Sequence, residues 1–132
     1  MGATRMTLRC LIVDDSSEFL AAARLLLEQQ GLDIVGVASS PSQARSAAIR
    51  LRPDVTLVDV NLGADDGFAL ASDLAGPKGA GGTIILISTH GEEEYAELVA
   101  ASPAAGFLEK PELSVDAIAR LVESPIDLQP RR

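Results

Sequence analysis

The sequence predicts an α/β fold in which a central parallel sheet is covered by helices on both faces. Three observations predict it. Apolar runs alternate with amphipathic stretches about five times, the pattern of successive βαβ units. Most of those runs are continuous rather than alternating, as strands buried on both faces must be. The length of 132 residues suits one domain with a single core.

The elements follow in order. Leu8 to Val13 reads as the first strand. Phe19, Leu20, Ala23, Leu26 and Leu27 then fall at helical spacing, and Gly31 supplies the stop signal of a first helix. Ile34 to Ala38 reads as the second strand. Ser40 with Pro41 reads as an N-cap with proline in the first turn of a second helix, which carries Ala44, Ala47, Ala48 and Leu51 and closes at Pro53. Val55 to Val60 is the third strand, and a third helix begins near Gly67, runs through Phe68, Leu70, Ala71 and Leu74, and ends at Gly76. The segment GPKGAGG, residues 76 to 82, is rich in glycine but lacks the GxxxxGK[ST] spacing of a phosphate-binding loop and precedes a strand, so it reads as a flexible connector. Ile84 to Ile87 is the fourth strand. Glu92, Glu93 and Glu94 open a fourth helix, where carboxylates complement the positive end of the helix dipole. Gly106 to Leu108 is the fifth strand, and a fifth helix after Ser114 places Val115, Ile118, Leu121 and Val122 on one face. A domain over residues 7–123 with flexible termini at 1–6 and 124–132 is expected.

Composition narrows the function. Charged residues at 23% and hydrophobic residues at 47% are globular proportions. A net charge of −8 repels nucleic-acid phosphates and anionic lipid, so direct nucleic-acid or membrane binding by this domain is not expected. No apolar run approaches the length of a membrane span and the start MGATRMTLRC lacks a secretory apolar stretch, so a cytoplasmic location is expected. Cys10 stands alone in an apolar segment and reads as a small core residue.

In a parallel sheet, ligands sit beyond the carboxyl ends of the strands, so the residues that end each apolar run carry the chemistry. They are Asp14-Asp15 after the first run, Asp59 in the third, Ser88-Thr89 after the fourth and Glu109-Lys110-Pro111 after the fifth. If these strand ends converge, three carboxylates, a hydroxyl and an ammonium share one pocket. Three carboxylates repel one another unless a cation lies among them, and hard oxygen donors suit Mg²⁺. Plainer readings compete residue by residue. Asp15 with Glu18 has the spacing of a helix capping box, Lys110 can be an ordinary exposed lysine, and Ser88 alone carries little information. Asp59 resists such a reading, because it interrupts the apolar LVDV, where an unpaired charge is costly to bury.

At these positions the chain resembles the receiver domains of bacterial two-component response regulators. The resemblance covers about residues 7 to 123 and rests on CLIVDDSSEF, DVTLVDVNLGADDG, ILIST and GFLEKP. It implies a flavodoxin-like doubly wound (βα)5 fold with strand order 2-1-3-4-5. It also implies roles: Asp59 as phosphoacceptor, Asp15 as direct Mg²⁺ ligand, Asp14 acting largely through water, and Asn61 offering its backbone carbonyl to the metal. Ser88 would bond the phosphoryl oxygen, Lys110 would neutralise it, and Phe107 with Ser88 would form a switch. His90 and Asn61 would flank the path of hydrolytic water, although the preferred reading of His90 is an ordinary solvated loop histidine. The implied partners are a sensor histidine kinase or phosphotransfer protein, and a downstream protein or second copy docking on the face formed by the fourth helix, fifth strand and fifth helix. The resemblance also implies a cis Lys110–Pro111 bond. Gly63, where many receivers have proline, and Ser88, where threonine is commoner, depart from the pattern without removing a functional group.

Three rival readings are distinguishable. An aspartyl-phosphate hydrolase would carry a second acid where Asn61 stands. A flavin binder would need hydroxyl or glycine phosphate donors where the first strand-to-helix turn offers DDSSEF. The stretch STHGEEEYAELVAASPAAGFLEKPELS is similar to receivers that precede helix-turn-helix output domains, so the chain is either a standalone receiver, the preferred expectation, or the excised N-terminal receiver of a DNA-binding regulator.

Overall fold

The structure, a computed structural model, describes residues 8–76 and 78–123. The expected flexible termini lie outside the described residues. Five strands, β1 (Arg9–Val13), β2 (Asp33–Ala38), β3 (Val55–Asp59), β4 (Thr83–Ser88) and β5 (Gly106–Glu109), form one parallel sheet in the order 2-1-3-4-5. The helices are α1 (Ser17–Gln29), α2 (Pro41–Leu51), α3 (Gly67–Ala75), α4 (Ala96–Ala101) and α5 (Val115–Glu123). A two-stranded antiparallel ribbon pairs Asn61–Leu62 with Asp65–Asp66 between β3 and α3. The expected flavodoxin-like α/β architecture and strand order are therefore present.

The continuous apolar runs divide their side chains between two cores by the two-residue period of a strand. Leu11, Val13, Val58, Ile84 and Leu86 face the α2–α3 side, with Leu70 and Leu74 from α3. Cys10, Ile12, Leu57, Ile85 and Ile87 face the α1–α5 side, with Leu20, Leu27 and Ile118 from the helices. Burial pushes the Cys10 thiol up to about 12, consistent with an inert core residue. Thr56 interrupts β3 without cost, because its buried hydroxyl donates to the Gly81 carbonyl at 2.7 Å.

Local details revise several expectations. The α1 N-cap is Ser16, whose hydroxyl accepts from Phe19 N at 3.1 Å, so the Asp15–Glu18 capping box is not formed and the Asp15 carboxylate is left exposed beside the sheet edge. Ser40 caps α2 as expected, accepting from Gln43 N at 3.2 Å, and the helix ends at a left-handed Arg52 (φ 46°) before Pro53. The acidic run does not open an α-helix. Glu92–Tyr95 forms a 3₁₀ turn that leads into α4, a six-residue helix without a buried residue, in which Val99 packs partly against the α2–α3 core and Leu98 is exposed. The glycine-rich connector is tied down, with Gly81 N donating to the Leu74 carbonyl at 3.0 Å and Gly79 N to Gly76 at 2.9 Å. It enters the amino end of β4, opposite the strand ends that carry the polar residues. Lys110–Pro111 is trans, since the described chain holds no cis peptide bond. Lys110–Glu112 instead closes a 3₁₀ turn in which Glu109 and Glu112 cap one another.

Candidate functional site

The strand order brings the carboxyl ends of β1, β3, β4 and β5 together while β2 ends at the far side of β1. Asp14 follows β1 and is fully buried. Asp59 is the last residue of β3 and 6% exposed, and Ser88 is the last of β4 and 2% exposed. Lys110 follows β5, with its side chain 14% exposed. These residues, with Asp15, Asn61, Gly63 and His90, line a cavity of about 240 Å³. A cleft of about 380 Å³ against α2, lined by Val37, Gln43 and Arg50 among others, has no comparable convergence of charges.

Each side chain is held by its local turn. Asp14 Oδ1 accepts from Ser16 N at 2.8 Å, and Asp59 Oδ1 accepts from Asn61 N at 3.0 Å. Lys110 Nζ lies 3.2 Å from Asp59 Oδ2 and 2.6 Å from Asp14 Oδ2. The latter is a charge contact without hydrogen-bond alignment, and Asp14 Oδ2 has no hydrogen-bond partner. Two glycines make the geometry possible. A Cβ at Gly67 would lie 2.0 Å from the Asp59 carbonyl oxygen, so α3 can start this close to β3 only without a side chain. Gly63 has φ +69°, which proline cannot adopt, and a Cβ there would press to 3.0 Å from Asp15 Oδ2.

The electrostatics follow from burial. Removal from water pushes the Asp59 carboxyl up to about 6, with the neighbouring Asp14 charge adding to the rise and the Asn61 N–H and Lys110 opposing it. Burial pulls the Lys110 ammonium down, but the short contact to Asp14 and the charges of Asp59 and Asp14 outweigh it, leaving its pKa above the usual lysine value. The cluster therefore holds three carboxylates to one ammonium, which contacts only Asp14 and Asp59, and oxygens of Asp14, Asp15 and Asp59 lie within 4.8 Å of one another. An excess of carboxylates over the one ammonium, an all-oxygen donor set and open volume beside it fit a hard divalent cation.

Every residue singled out from the sequence is thus located. Asp14, Asp15, Asp59, Asn61, Ser88, His90 and Lys110 all line the cavity. Ser88 Oγ accepts from His90 N at 3.0 Å, and His90 is exposed. Phe107 does not line the cavity. It is 7% exposed within the α2–α3 core, its ring centroid 6.3 Å from that of Tyr95. Sequence reasoning assigned Phe19 to the packing stripe of α1, yet its ring also lies under Lys110, with Nζ 4.2 Å from the centroid. No local signal marks that contact, since it joins residues in α1 and after β5.

Comparison with known proteins gives a consistent assignment. The chain is 36% identical over 107 residues to protein-glutamate methylesterase/protein-glutamine glutaminase 5 of Myxococcus xanthus, a match covering 77% of this chain and 29% of that protein. The chain spans half or less of the length of this and other curated relatives. The signal receiver domain of a modulated diguanylate cyclase from Desulfovibrio desulfuricans superposes with a TM-score of 0.75 at 34% identity, covering 92% of this chain and 94% of that one. The signal receiver domain of the putative response regulator NarL from Mycobacterium tuberculosis gives a TM-score of 0.78 at 26% identity, covering 90% and 98%. The model of the response regulator receiver domain matches residues 10–123, a span holding all the acidic strand ends, and the chain belongs to that family.

Proposed function

We propose that this receiver, over residues 7–123, takes a phosphoryl group onto Asp59 from a phosphohistidine of a sensor histidine kinase or phosphotransfer protein, or from a small phosphodonor, in an Mg²⁺-dependent reaction. The observation that carries the reading is the buried Asp14–Asp59–Lys110 cluster at the carboxyl edge, with Asp15 open beside it. A carboxylate oxygen of Asp59 forms the new bond to phosphorus as the P–N bond of the donor breaks, and the imidazole departs with that electron pair. Asp14, Asp15, Asp59 and the backbone carbonyl of Asn61 are the residues to hold Mg²⁺, which would supply charge stabilisation to the transferring oxygens. Lys110 holds positive charge beside the equatorial oxygens, and Ser88, whose Oγ accepts from His90 N, keeps its hydroxyl proton to donate to a phosphoryl oxygen. Attack of water on phosphorus reverses the modification by breaking the P–O bond and returning the Asp59 carboxylate, with Asn61 and His90 beside the approach.

The domain catalyses only its own phosphorylation and dephosphorylation, and acts in the cytoplasm. No described helix is long and apolar enough to cross a membrane. Phosphorylation biases Ser88 and Phe107, and through them the α4–β5–α5 face, toward a downstream protein or a second copy. Relatives named as methylesterases and a putative transcriptional regulator favour a receiver that serves an output domain as the second reading. Hydrolysis of external phosphomonoesters in the manner of haloacid-dehalogenase-like enzymes is disfavoured, because Asn61 stands where those enzymes carry a second aspartate as acid/base.

The test is the intact mass of wild type and Asp59→Asn after incubation with acetyl phosphate, with and without Mg²⁺. One added phosphoryl on wild type only, and only with metal, is expected. Equal labelling of Asp59→Asn would remove Asp59 as acceptor.

A further inference from the structure

We infer that Phe19 is a positioning residue for Lys110: its ring face holds the ammonium at the phosphoryl site without neutralising it. The inference rests on the phosphoacceptor reading above and deepens it. Three observations meet at one nitrogen. Lys110 Nζ is 2.6 Å from Asp14 Oδ2, 3.2 Å from Asp59 Oδ2 and 4.2 Å from the centre of the Phe19 ring. The ammonium is therefore bounded by two carboxylates and one aromatic face, with 14% of the side chain exposed.

The chemistry explains why a ring suits that third side. Phosphoryl transfer consumes an Asp59 oxygen and places new anionic oxygens beside it, so Lys110 must redirect its N–H groups while staying in place. A third carboxylate would anchor the ammonium but spend its charge, and water would let it swing outward. A π face attracts a cation through its quadrupole yet offers no lone pair to compete with the phosphoryl oxygens. Phe19 is itself fixed, since it follows the Ser16 cap by three residues, its N–H is held by that hydroxyl at 3.1 Å, and it packs against the α1–α5 core. The acidic pair of the β1 end and the ring over the lysine are thereby set by one turn.

The test uses Phe19→Leu, which keeps apolar bulk without a π face, and Phe19→Tyr, which keeps the face. The chain contains only two lysines, Lys78 and Lys110, so lysine-selective isotope labelling resolves both side chains. The ε-methylene protons of Lys110 should be shielded relative to those of Lys78 in wild type and Phe19→Tyr, and should lose that shielding in Phe19→Leu. Phosphorylation by acetyl phosphate should slow roughly 2- to 30-fold in Phe19→Leu and stay near wild type in Phe19→Tyr, with Mg²⁺ affinity by calorimetry unchanged in both. Unshielded Lys110 protons in wild type, equal slowing in Phe19→Tyr, or a parallel loss of Mg²⁺ affinity would each overturn the inference. Failure of wild type to take up phosphoryl would instead defeat the phosphoacceptor reading, while the lysine signals would still report on the contact.

Discussion

On the surface between α2 and α3, Arg45 Nη1 meets Asp73 Oδ2 at 3.4 Å, with the two side chains 49% and 55% exposed. At the carboxyl edge of the sheet, Lys110 meets Asp14 and Asp59 at 2.6 and 3.2 Å, with the side chains of the two acids 0% and 8% exposed. The charges at the surface balance one to one in water, whereas those at the edge are buried with carboxylates in excess. Solvent makes the first pair nearly dispensable and makes the second expensive to assemble and expensive to break. A fold selected for stability alone has no use for that excess. Its presence is understood if the edge is kept ready for a cation and a phosphoryl group.

The largest expected effect separates chemistry from stability at a single residue. Asp59→Asn should abolish phosphoryl uptake and yet stabilise the metal-free protein. The Asp59 carboxyl titrates higher in the folded chain than the ordinary 3.8, at about 6, so its contribution to stability is fully present below pH 4 and is lost as pH rises toward 6. Asparagine has no such loss. The variant's advantage should grow to at most about 3 kcal/mol above pH 6 and vanish near pH 4, as read by urea unfolding across pH. An advantage that does not change with pH would show that repulsion at Asp59 is not its source.

Lys110→Met should act in the opposite sense, costing about 3 kcal/mol at neutral pH without metal, because two buried carboxylates lose their counter-charge. Mg²⁺ should restore part of that stability in a thermal melt. No response to Mg²⁺ would mean that the metal does not enter the cluster. A smaller effect concerns pH and metal together. Mg²⁺ affinity should fall about tenfold per pH unit once the pH drops below about 6, where Asp59 gains its proton in the free protein. Calorimetry showing flat affinity from pH 7.5 to 5 would exclude Asp59 as a ligand. The smallest effect belongs to the surface pair, where Arg45→Ala should change stability by less than about 1 kcal/mol, and by less still in high salt. A cost as large as that of Lys110→Met would erase the distinction between the two regions.

Much of the site was legible along the chain because a buried parallel strand must be apolar and its first polar residue marks where it leaves the core. That rule located Asp14, Asp59, Ser88 and Lys110 within a residue of the strand ends. It left a choice open where two local motifs competed for the same residues. Asp15 had the spacing of a cap, but Ser16 took that role because its hydroxyl reaches Phe19 N, which leaves Asp15 free beside the cavity. The trans Lys110–Pro111 bond was equally hidden, since it accompanies a 3₁₀ turn stabilised by Glu109 and Glu112.

The sequence by itself determined which groups exist at the edge and that each lies at a strand end, since periodicity and the cost of burying polar atoms act over a few residues. Tertiary structure decided which of them meet. Crossovers that place β1 between β2 and β3, and β4 beside β5, set Lys110 between Asp14 and Asp59 and over the Phe19 ring. Those contacts span 51 residues between Lys110 and Asp59, and local propensity has no influence over such a distance. Packing of helices on both faces of the sheet makes that choice, through burial of the two cores.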